Sequence, residues 1–458
     1  MCNKIKYLLF FIASFLFFSN LVSAQIKITS IQIEGNRKTK PYIILRELPY
    51  HEGDILPKDS IAIADTISQQ QLFNTALFEQ VTVQSEYLDS LRVVIKIQVR
   101  ERWYLFPIPY FRWVDRNFNQ WWNEQNRSLD RINYGLNLRQ SNVTGNNDRL
   151  TAAFVTGYTQ QSNLRYQIPF IDKKLRYGLA FGWQNAIQKE INIATKLDKQ
   201  VFYKTKNINQ EGYRANASLL YRPNLFERHS FQLGMGRNEI SDSALLYRPN
   251  YLPNHEKTFS YVDAALILSR IRFDYNAYPT KGQSTDFILY QRFSKNSNLS
   301  SIQFRKMVVR PFSKSNFVFL ESNSIVKFLP NQNYTDNKLL GYNNLQMNGL
   351  DYYVVDGNAA SLLKASFHHA LGAISVKNKL IPKRIPIIKY QFWLKAFTQL
   401  GYVYSEKPAN GNRLNNTLLR TAGIGLDIVG IYDFVLKIDY SLNQLGDKGL
   451  YLHTGFNF

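Results

Sequence analysis

The chain has 458 residues, of which 45% are hydrophobic and 14% are aromatic, and its formal net charge is +22. Its single cysteine, Cys2, excludes a disulfide framework and a metal site built on cysteines. After the first 24 residues no apolar run approaches the ~20 residues of a membrane-spanning helix, which excludes a helical membrane protein.

The first residues have the features of a secretory signal peptide. Lys4 and Lys6 precede an apolar run from Leu8 to Phe18, and Val22-Ser23-Ala24 is a small-residue cleavage site. We therefore expect a signal peptide over residues 1–24. An uncleaved membrane anchor is the alternative. Cleavage removes the two lysines and no acidic residue, so the mature chain carries a charge near +20 and no thiol.

Residues 25–101 predict a small α/β domain. The segments "IKITSIQIEGN", "FEQVTVQSE" and "LRVVIKIQVRER" alternate as strands do, and the last two are joined as a hairpin. Between the first and second strands, "TKPYIILREL" predicts a short helix, "HEGDIL" a loop, and "PKDSIAIADTISQQQLFNTALF" a longer helix. The expected order is strand, helix, helix, strand, strand, with one three-stranded sheet.

Residues 102–458 alternate apolar and polar side chains in short segments separated by turn clusters such as "TGNND" and "PANGNR". Residues 434–442 are nearly ideal, with apolar side chains at every even position and polar ones at 437, 439 and 441. A soluble sandwich or propeller also alternates, but no propeller-type repeat is present. We predict an all-β transmembrane barrel, because every strand edge in lipid must be paired.

The final segment, "GLYLHTGFNF", reads as the last strand of such a barrel. Leu452, Thr454, Phe456 and Phe458 fall on one face, and the segment ends on an aromatic residue. This pattern resembles the C-terminal strand of bacterial outer-membrane barrels.

Three further segments carry a family resemblance. "RIRFDYNAYPTKGQSTDF", "LKAFTQLGYVY" and "LLRTAGIGLDI" contain a D…P…G element and an arginine-glycine strand, at Asp274, Pro279, Gly282, Arg420, Gly423 and Gly425. With the N-terminal domain, they resemble the bacterial surface antigen superfamily, which contains the BamA and TamA assembly factors and the two-partner secretion transporters. The resemblance implies one periplasmic POTRA domain (25–101) and a barrel of about sixteen antiparallel strands (102–458) in the outer membrane.

The segment "LQMNGLDYYVVDGNAAS" resembles the family's long loop that folds back into the barrel lumen. Its tip is then formed by Met347, Asn348, Gly349 and Leu350. Where the family has an arginine at the tip this chain has Asn348, and where the family has an aspartate on the facing strand it has Gln399. We expect these two neutral amides to hold the loop by a hydrogen bond, in place of the family's charge pair.

The resemblance implies assistance in the insertion or translocation of other proteins. Client segments are expected to pair with the POTRA edge strand and with the seam between the first and last barrel strands, in contact with outer-membrane lipids. A passive pore for small solutes and a surface structural protein remain alternatives, and the substrate can be protein or lipid. The cationic charge suits a lumen and lipid head groups better than nucleic acid, which we do not expect as a partner.

No enzyme signature is present. The sequence lacks G-x-S-x-G, H-E-x-x-H, a Walker loop and a Rossmann glycine pattern. His368 and His369 are adjacent on a predicted strand and therefore point to opposite faces. We expect no catalytic activity, no cofactor and no metal site.

Overall fold

The computed structural model describes residues 25–113, 121–122, 126–129, 132–205, 207–295, 297–329, 333–342, 345–379 and 387–456. The predicted signal peptide and Phe458 lie outside these residues. The described part has a small α/β region followed by a large antiparallel sheet. The domain bounds given above, 25–101 and 102–458, stay predictions.

The α/β region has the predicted order with one addition. Its elements are β1 (Gln25–Glu34), α1 (Pro41–Leu45), β2 (Ile55–Pro57), α2 (Lys58–Asn74), β3 (Phe78–Tyr87) and β4 (Arg92–Glu101). They form a four-stranded sheet in the order β2-β1-β4-β3, in which β1 and β4 are parallel. Both helices pack on one face of the sheet around a buried core whose largest members include Ile26, Ile28, Ile43, Ile44, Ile61, Leu72, Ile95 and Ile97.

The expectation of a three-stranded sheet was wrong because the segment predicted as a loop contributes β2. Ile28 N donates to Asp54 O at 2.9 Å, and Gly53 N donates to Ile28 O at 2.8 Å. These bonds draw the loop onto the edge of β1, where β2 pairs antiparallel with its first residues. The long edge left open is therefore that of β3.

The large sheet contains sixteen strands, each antiparallel to its neighbours, which confirms the predicted fold class. The strands are β5 (Leu105–Trp113), β6 (Ile132–Ser141), β7 (Arg149–Gly157), β8 (Thr159–Ile168), β9 (Tyr177–Gln188), β12 (Gln210–Tyr221), β13 (Glu227–Ile240), β14 (Thr258–Phe273), β15 (Gly282–Phe293), β16 (Leu299–Pro311), β17 (Asn316–Phe328), β20 (Ala359–Lys377), β21 (Ile387–Tyr404), β22 (Leu418–Val429), β23 (Phe434–Asn443) and β24 (Lys448–Phe456).

Shorter elements lie in the connections between these strands. They are the hairpin β10 (Glu190–Lys196) and β11 (Lys199–Lys204), the pair β18 (Lys338–Leu340) and β19 (Val355–Asp356), the helices α3 (Asp242–Tyr247) and α4 (Tyr334–Asn337), and a 3₁₀ turn (Pro253–His255). They are all at the end of the barrel that is remote from the α/β region. We call that end distal and the other end proximal.

The alternation along each strand separates an inner from an outer surface. On β21, Trp393, Lys395 and Gln399 are buried, while Leu394 and Leu400 are exposed. Successive residues of a strand point to opposite faces, so the buried set faces the lumen and the exposed apolar set faces outward. The outward set gives the wall an apolar outer surface.

Two ion pairs fix the α/β region against the proximal turns. Arg222 binds the carboxylate of Glu47 through both terminal nitrogens, at 2.5 and 2.6 Å. Arg102 Nη1 lies 2.8 Å from Asp433 Oδ2, and both side chains are about 5% exposed. Burial alone raises the pKa of Glu47, but Arg222, supported by Arg46, outweighs it, and the net shift is downward.

Candidate functional site

The outer edge of β3 is open in the α/β region. β3 pairs with β4 along its other side, and among the described residues no strand pairs with its outer edge. A cleft of about 680 Å³ runs between this edge and α2. Its wall includes the apolar Ile61 and Val83, and Asp65 there accepts a hydrogen bond from Tyr50 at 3.0 Å. The cleft thus combines a free backbone edge with a mixed apolar and polar wall.

The two ends of the sixteen-strand order, β5 and β24, form a seam. No ladder joins them among the described residues. The two ends of the sheet still meet at the proximal end, where the rings of Phe106, on β5, and Tyr432, in the β22–β23 turn, lie edge-to-face with centroids 5.1 Å apart. Trp103 N also donates to the Tyr432 hydroxyl at 3.4 Å. The sheet therefore curls into a barrel whose seam is held by contacts near the proximal turns.

Two prolines explain why β5 makes a poor seam partner. Tyr104 O accepts a bond from Ser141 N at 2.8 Å, so the backbone of Tyr104 faces β6. Backbone groups alternate sides along an antiparallel strand, which places the odd-numbered residues of β5 on the open edge. Pro107 and Pro109 fall there and have no N–H group. The middle of this edge offers carbonyls and no donors.

The loop between β17 and β20 returns into the barrel, and the predicted tip lies against the lumenal wall. Met347 and Leu350 are buried in an apolar cluster with Leu362, Val403, Leu414 and Leu419. A Cβ atom on Gly401 would lie 2.6 Å from Met347 Sδ. Gly401, on β21, is thus the residue that leaves room for the tip.

The two predicted amides are in reciprocal contact. Asn348 N donates to Gln399 Oε1 at 3.1 Å, and Gln399 Nε2 donates to Asn348 Oδ1 at 3.0 Å. Gly349 has φ +87°, a conformation that favours glycine, and its carbonyl accepts from Asn443 at 2.8 Å. The geometry allows the tip to hold the loop to two strands, β21 and β23. That function of the tip stays a prediction.

The tip also contacts a charged group, which the sequence did not indicate. Asn348 Nδ2 donates to Asp439 Oδ2 at 2.7 Å. Lys395 lies between Asp439 and Asp427, with Nζ at 2.7 and 2.8 Å from their carboxylates. A Cβ on Gly425 would lie 2.2 Å from Asp439 Oδ1 and 2.7 Å from Lys395 Cε. The glycine of the arginine-glycine strand therefore leaves the space in which this ion triad forms.

Tyr278 extends these polar contacts toward the proximal end of the barrel. Its hydroxyl donates to Asp427 Oδ2 at 3.0 Å and lies 2.9 Å from His368 Nδ1. The ring packs against Phe317 and Trp393 in a buried cluster across the proximal lumen. A continuous set of polar contacts thus runs from the loop tip to the β14–β15 turn.

The D…P…G element shapes that turn. Asp274 accepts three backbone N–H bonds of its own turn, at 2.9 to 3.1 Å. Pro279 follows Tyr278 directly, and Gly282 ends the turn with φ +121°. A Cβ on Gly282 would lie 2.0 Å from Arg272 O, so no other residue fits there. The element aims Tyr278 into the lumen.

The remaining predicted residues do not belong to this set of polar contacts. Arg420 is exposed at the start of β22, and a Cβ on Gly423 would meet the backbone of β23 at 2.4 Å. Leu452 is exposed on β24, as expected of a lipid-facing residue. Thr454 and Phe456 belong to β24, but their side chains lie outside the description. The predicted signal function of this strand stays a prediction.

Sequence reasoning did not assign Lys395, Asp427 or Tyr278 to any site. The available signal was a charged side chain at an inward position of an otherwise apolar strand. His368 and His369 do face opposite ways: the first is buried in the lumen, and the second lies 2.7 Å from Asn316 Oδ1 on the outer face.

In the described part of the chain, no group of three or more His, Cys, Asp or Glu side chains is arranged to hold a metal ion. No helix among those residues is both long and apolar enough to span a membrane.

Comparisons with known proteins agree with this architecture. Residues 26–102 match the POTRA family, described as a surface antigen variable number repeat. Over 76 residues the chain is 28% identical to the outer membrane protein assembly factor BamA of Neorickettsia risticii (strain Illinois), a match that covers 17% of this chain and 10% of that protein. The chain thus spans about a tenth of this curated relative.

Two solved structures match along most of the chain. BamA from Haemophilus ducreyi lacking POTRA domains 1-3 has a TM-score of 0.52 at 15% identity, covering 94% of this chain and 84% of that one. CdiB from Escherichia coli has a TM-score of 0.54 at 10% identity, covering 94% and 75%. At this identity the likeness concerns the fold. The chain therefore has a POTRA domain followed by a barrel similar to those of BamA and CdiB, as the sequence predicted.

Proposed function

We propose that this chain is an outer-membrane factor that assists the insertion or translocation of other proteins. One observation carries the proposal. In the part of the chain that the structure describes, a POTRA domain with an open strand edge is docked at the mouth of a sixteen-stranded barrel, and no ladder closes the barrel seam. An extended polypeptide can gain backbone hydrogen bonds at both of these edges. In the proposed orientation both edges lie near the boundary between the membrane and the periplasm.

The POTRA edge suits a client that is still extended. A peptide that adds a strand to an open sheet edge gains main-chain bonds without a strict sequence requirement. Val83, which is partly exposed, and Tyr87, which is exposed, offer apolar contact in the adjoining cleft to side chains of such a strand. We infer that β3 receives client segments before they reach the barrel.

The seam suits exchange of strands. With Pro107 and Pro109 on its open edge, β5 cannot donate to β24 at those positions, so the ladder between them cannot be complete. A client strand placed between β5 and β24 gives up few seam bonds and gains lipid contact. The driving free energy then comes from client folding and burial in lipid rather than from a nucleotide.

The orientation follows from this proposal. The POTRA domain and the proximal turns lie in the periplasm, and the distal loops lie outside the cell. Residues 345–350 and the ring of Tyr278 occupy the lumen, so we expect little steady ionic current through the barrel. A passive pore requires the opposite result in a planar bilayer.

The test compares outer membranes by quantitative proteomics. The strains lack the chain, carry it without residues 25–101, or carry Pro107→Val with Pro109→Val, which restores two donors to the seam. Pro311→Val, at the end of β16 away from the seam, is the matched control. We expect a small set of barrel or surface proteins to fall in the first three strains and not in the control. An unchanged protein profile with altered solute uptake or lipid asymmetry contradicts the proposal and favours a pore or a lipid carrier.

A further inference from the structure

Two neighbouring strands extend beyond the barrel wall at the proximal end. β17 stops pairing with β20 at His369, and β22 stops pairing with β21 at Gln391. The pairing of β20 with β21 continues through residues 374–377 and 387–390. These four pairs project about 13 Å past the neighbouring strands. We call them the projecting ribbon, and in the described part of the chain no other strand pairs with it.

The projecting ribbon has two unlike faces, because side chains directly opposite each other on paired strands share a face. One face carries Ile374, Val376, Ile388 and Tyr390, and the other carries Ser375, Lys377, Ile387 and Lys389. Tyr390 lies on the same side of β21 as Leu394, which is exposed on the outer surface of the barrel. The apolar face of the ribbon therefore continues the lipid-facing surface of the wall.

This apolar face is open to its surroundings. Ile374 is 52% exposed and Val376 is 46% exposed, which is high for side chains of this type. The β16–β17 turn beside it adds Phe312, which is 71% exposed. Ala370, four residues before the ribbon on β20, donates its N–H to Ser315 O at 2.8 Å, so the turn adjoins the base of the ribbon.

The surface is cationic as well as apolar. Residues 370–379, 387–391 and 310–316 contain five cationic side chains and no histidine, aspartate or glutamate. The cationic residues are Lys377, Lys379, Lys389, Arg310 and Lys314. Apolar side chains flanked by lysines are typical of segments that lie at a membrane–water boundary, where lysines reach lipid phosphates.

We propose that the projecting ribbon and the β16–β17 turn bind the surface of the membrane at anionic lipid head groups. The apolar face enters the head-group region beside the barrel, and Lys377 and Lys389 contact lipid phosphates from the other face. Lysines on an exposed strand edge oppose pairing with a further strand, which makes lipid a better occupant than a client segment. The proposal depends on the proposed function in one respect only: the orientation given there makes the contacted leaflet the periplasmic one.

The experiment places a fluorophore on each face of the ribbon in the full-length chain, with Cys2→Ser to remove the native thiol. Val376→Cys labels the apolar face and Ser375→Cys the polar face. The chain is reconstituted in vesicles of phosphatidylcholine, or of phosphatidylcholine partly replaced by phosphatidylglycerol. Quenching is measured with nitroxide-labelled lipid and with aqueous iodide. We expect lipid quenching at position 376 and iodide quenching at position 375, with stronger lipid quenching when phosphatidylglycerol is present.

Charge reversal tests the contribution of the two lysines to lipid contact. Lys377→Glu with Lys389→Glu is expected to lower the equilibrium constant for surface contact at least roughly 30-fold on anionic vesicles, the effect of losing two lysines. Lys377→Arg with Lys389→Arg should keep the contact. Lys196→Glu with Lys199→Glu, exposed in the distal hairpin, makes the same change in net charge and should leave the quenching unaltered.

Two results would overturn the proposal. A label at position 376 that iodide reaches and lipid does not, in both kinds of vesicle, overturns the proposal. Cross-linking of that label to a protein strand, without lipid quenching, also overturns it and assigns the ribbon to a client. The lipid comparison uses native lysines, so it decides the question even if the reversed variant does not fold. Because neither readout requires a client, loss of assembly activity leaves the result unaffected.

Discussion

The POTRA–barrel interface and the loop–wall contact are both buried and polar, yet they distribute charge differently. At the POTRA interface both ion pairs cross the contact: Glu47 and Arg102 lie within the stretch that matches the POTRA family, residues 26–102, and Arg222 and Asp433 lie in turns of the barrel. At the loop tip the charges pair within the wall, and the loop contributes the neutral Asn348.

This difference predicts how readily each contact opens. Separation of the POTRA interface breaks two ion pairs, and water must then replace the partner of each of the four charged groups. Withdrawal of the loop tip leaves Lys395 paired with both aspartates. It exposes amide groups, which water can satisfy, together with the apolar side chains of Met347 and Leu350. We therefore expect removal of a charge to weaken POTRA docking, and loss of amide or apolar contacts to release the loop tip.

The largest effect is expected from Lys395→Met. The substitution leaves Asp427 and Asp439 buried without a counterion, and breaking a buried pair in this way costs about 3–5 kcal/mol. The free energy of unfolding, measured by urea titration of the refolded barrel in detergent, should fall by at least that amount. Adding Asp427→Asn and Asp439→Asn to the same chain should recover most of the loss. A fall of less than about 1 kcal/mol in the single variant would show that the triad is not shielded from water.

A smaller effect is expected from Arg222→Met, which breaks one pair across the POTRA interface. Glu47 is 1% exposed, and leaving it unpaired should weaken docking by about 3 kcal/mol. The measurement is the rate of proteolysis between the POTRA domain and β5, with barrel mobility on gels as the control for folding. Glu47→Gln with Arg222→Met should dock better than Arg222→Met alone. Equal proteolysis of the single variant and the parent would contradict a docking function for this pair.

The same carboxylate predicts a pH dependence. The folded-state pKa of Glu47 is lowered from its ordinary value of 4.5, so its stabilising contribution is complete above that pH and is lost as the pH falls through the folded-state pKa. The proteolysis rate should therefore be flat near neutral pH and rise in acid. Glu47→Gln should show a shallower rise, since it removes this titration and leaves other acidic groups in place. Matching curves for the two chains would assign the acid sensitivity elsewhere.

The contrast also separates what the sequence could predict from what it could not. Strands such as β23 were predictable because period-2 alternation survives in the residues themselves. β2 was missed because three residues carry no pattern, and only the bonds to β1 define it. The pairing of Asn348 with Gln399 was accessible through the family resemblance.

Contacts that depend on barrel closure were not accessible. Lys395, Asp427 and Asp439 lie on three adjacent strands, and their meeting depends on strand register. Likewise, Pro107 and Pro109 show their significance only once the direction of each backbone group on β5 is known. Alternation fixes the face of a residue and leaves its cross-strand neighbours open.

The smallest effect is expected at the loop tip itself. Asn348→Ala removes one neutral hydrogen bond, worth about 1 kcal/mol, and one to the Asp439 carboxylate, worth about 1.5 kcal/mol or more, so the unfolding free energy should fall by about 2–3 kcal/mol. Release of the tip, followed by a fluorophore at Leu350→Cys in a Cys2→Ser chain, should increase more than global unfolding does. The control is Asn316→Ala, a change on the outer face of β17 that is remote from the lumen.

A double-mutant cycle then tests whether the two amides act as a pair. Asn348→Arg brings a cation to Asp439 but also toward Lys395, and Gln399→Asp adds a third carboxylate to the same wall. Each single change should destabilise the tip, and the double change should restore it, because the new charges neutralise each other. Additive losses would show that Asn348 is held by Asp439 alone. In that case the releasable contact is a single amide–carboxylate bond, and the loop tip depends on the wall triad rather than on Gln399.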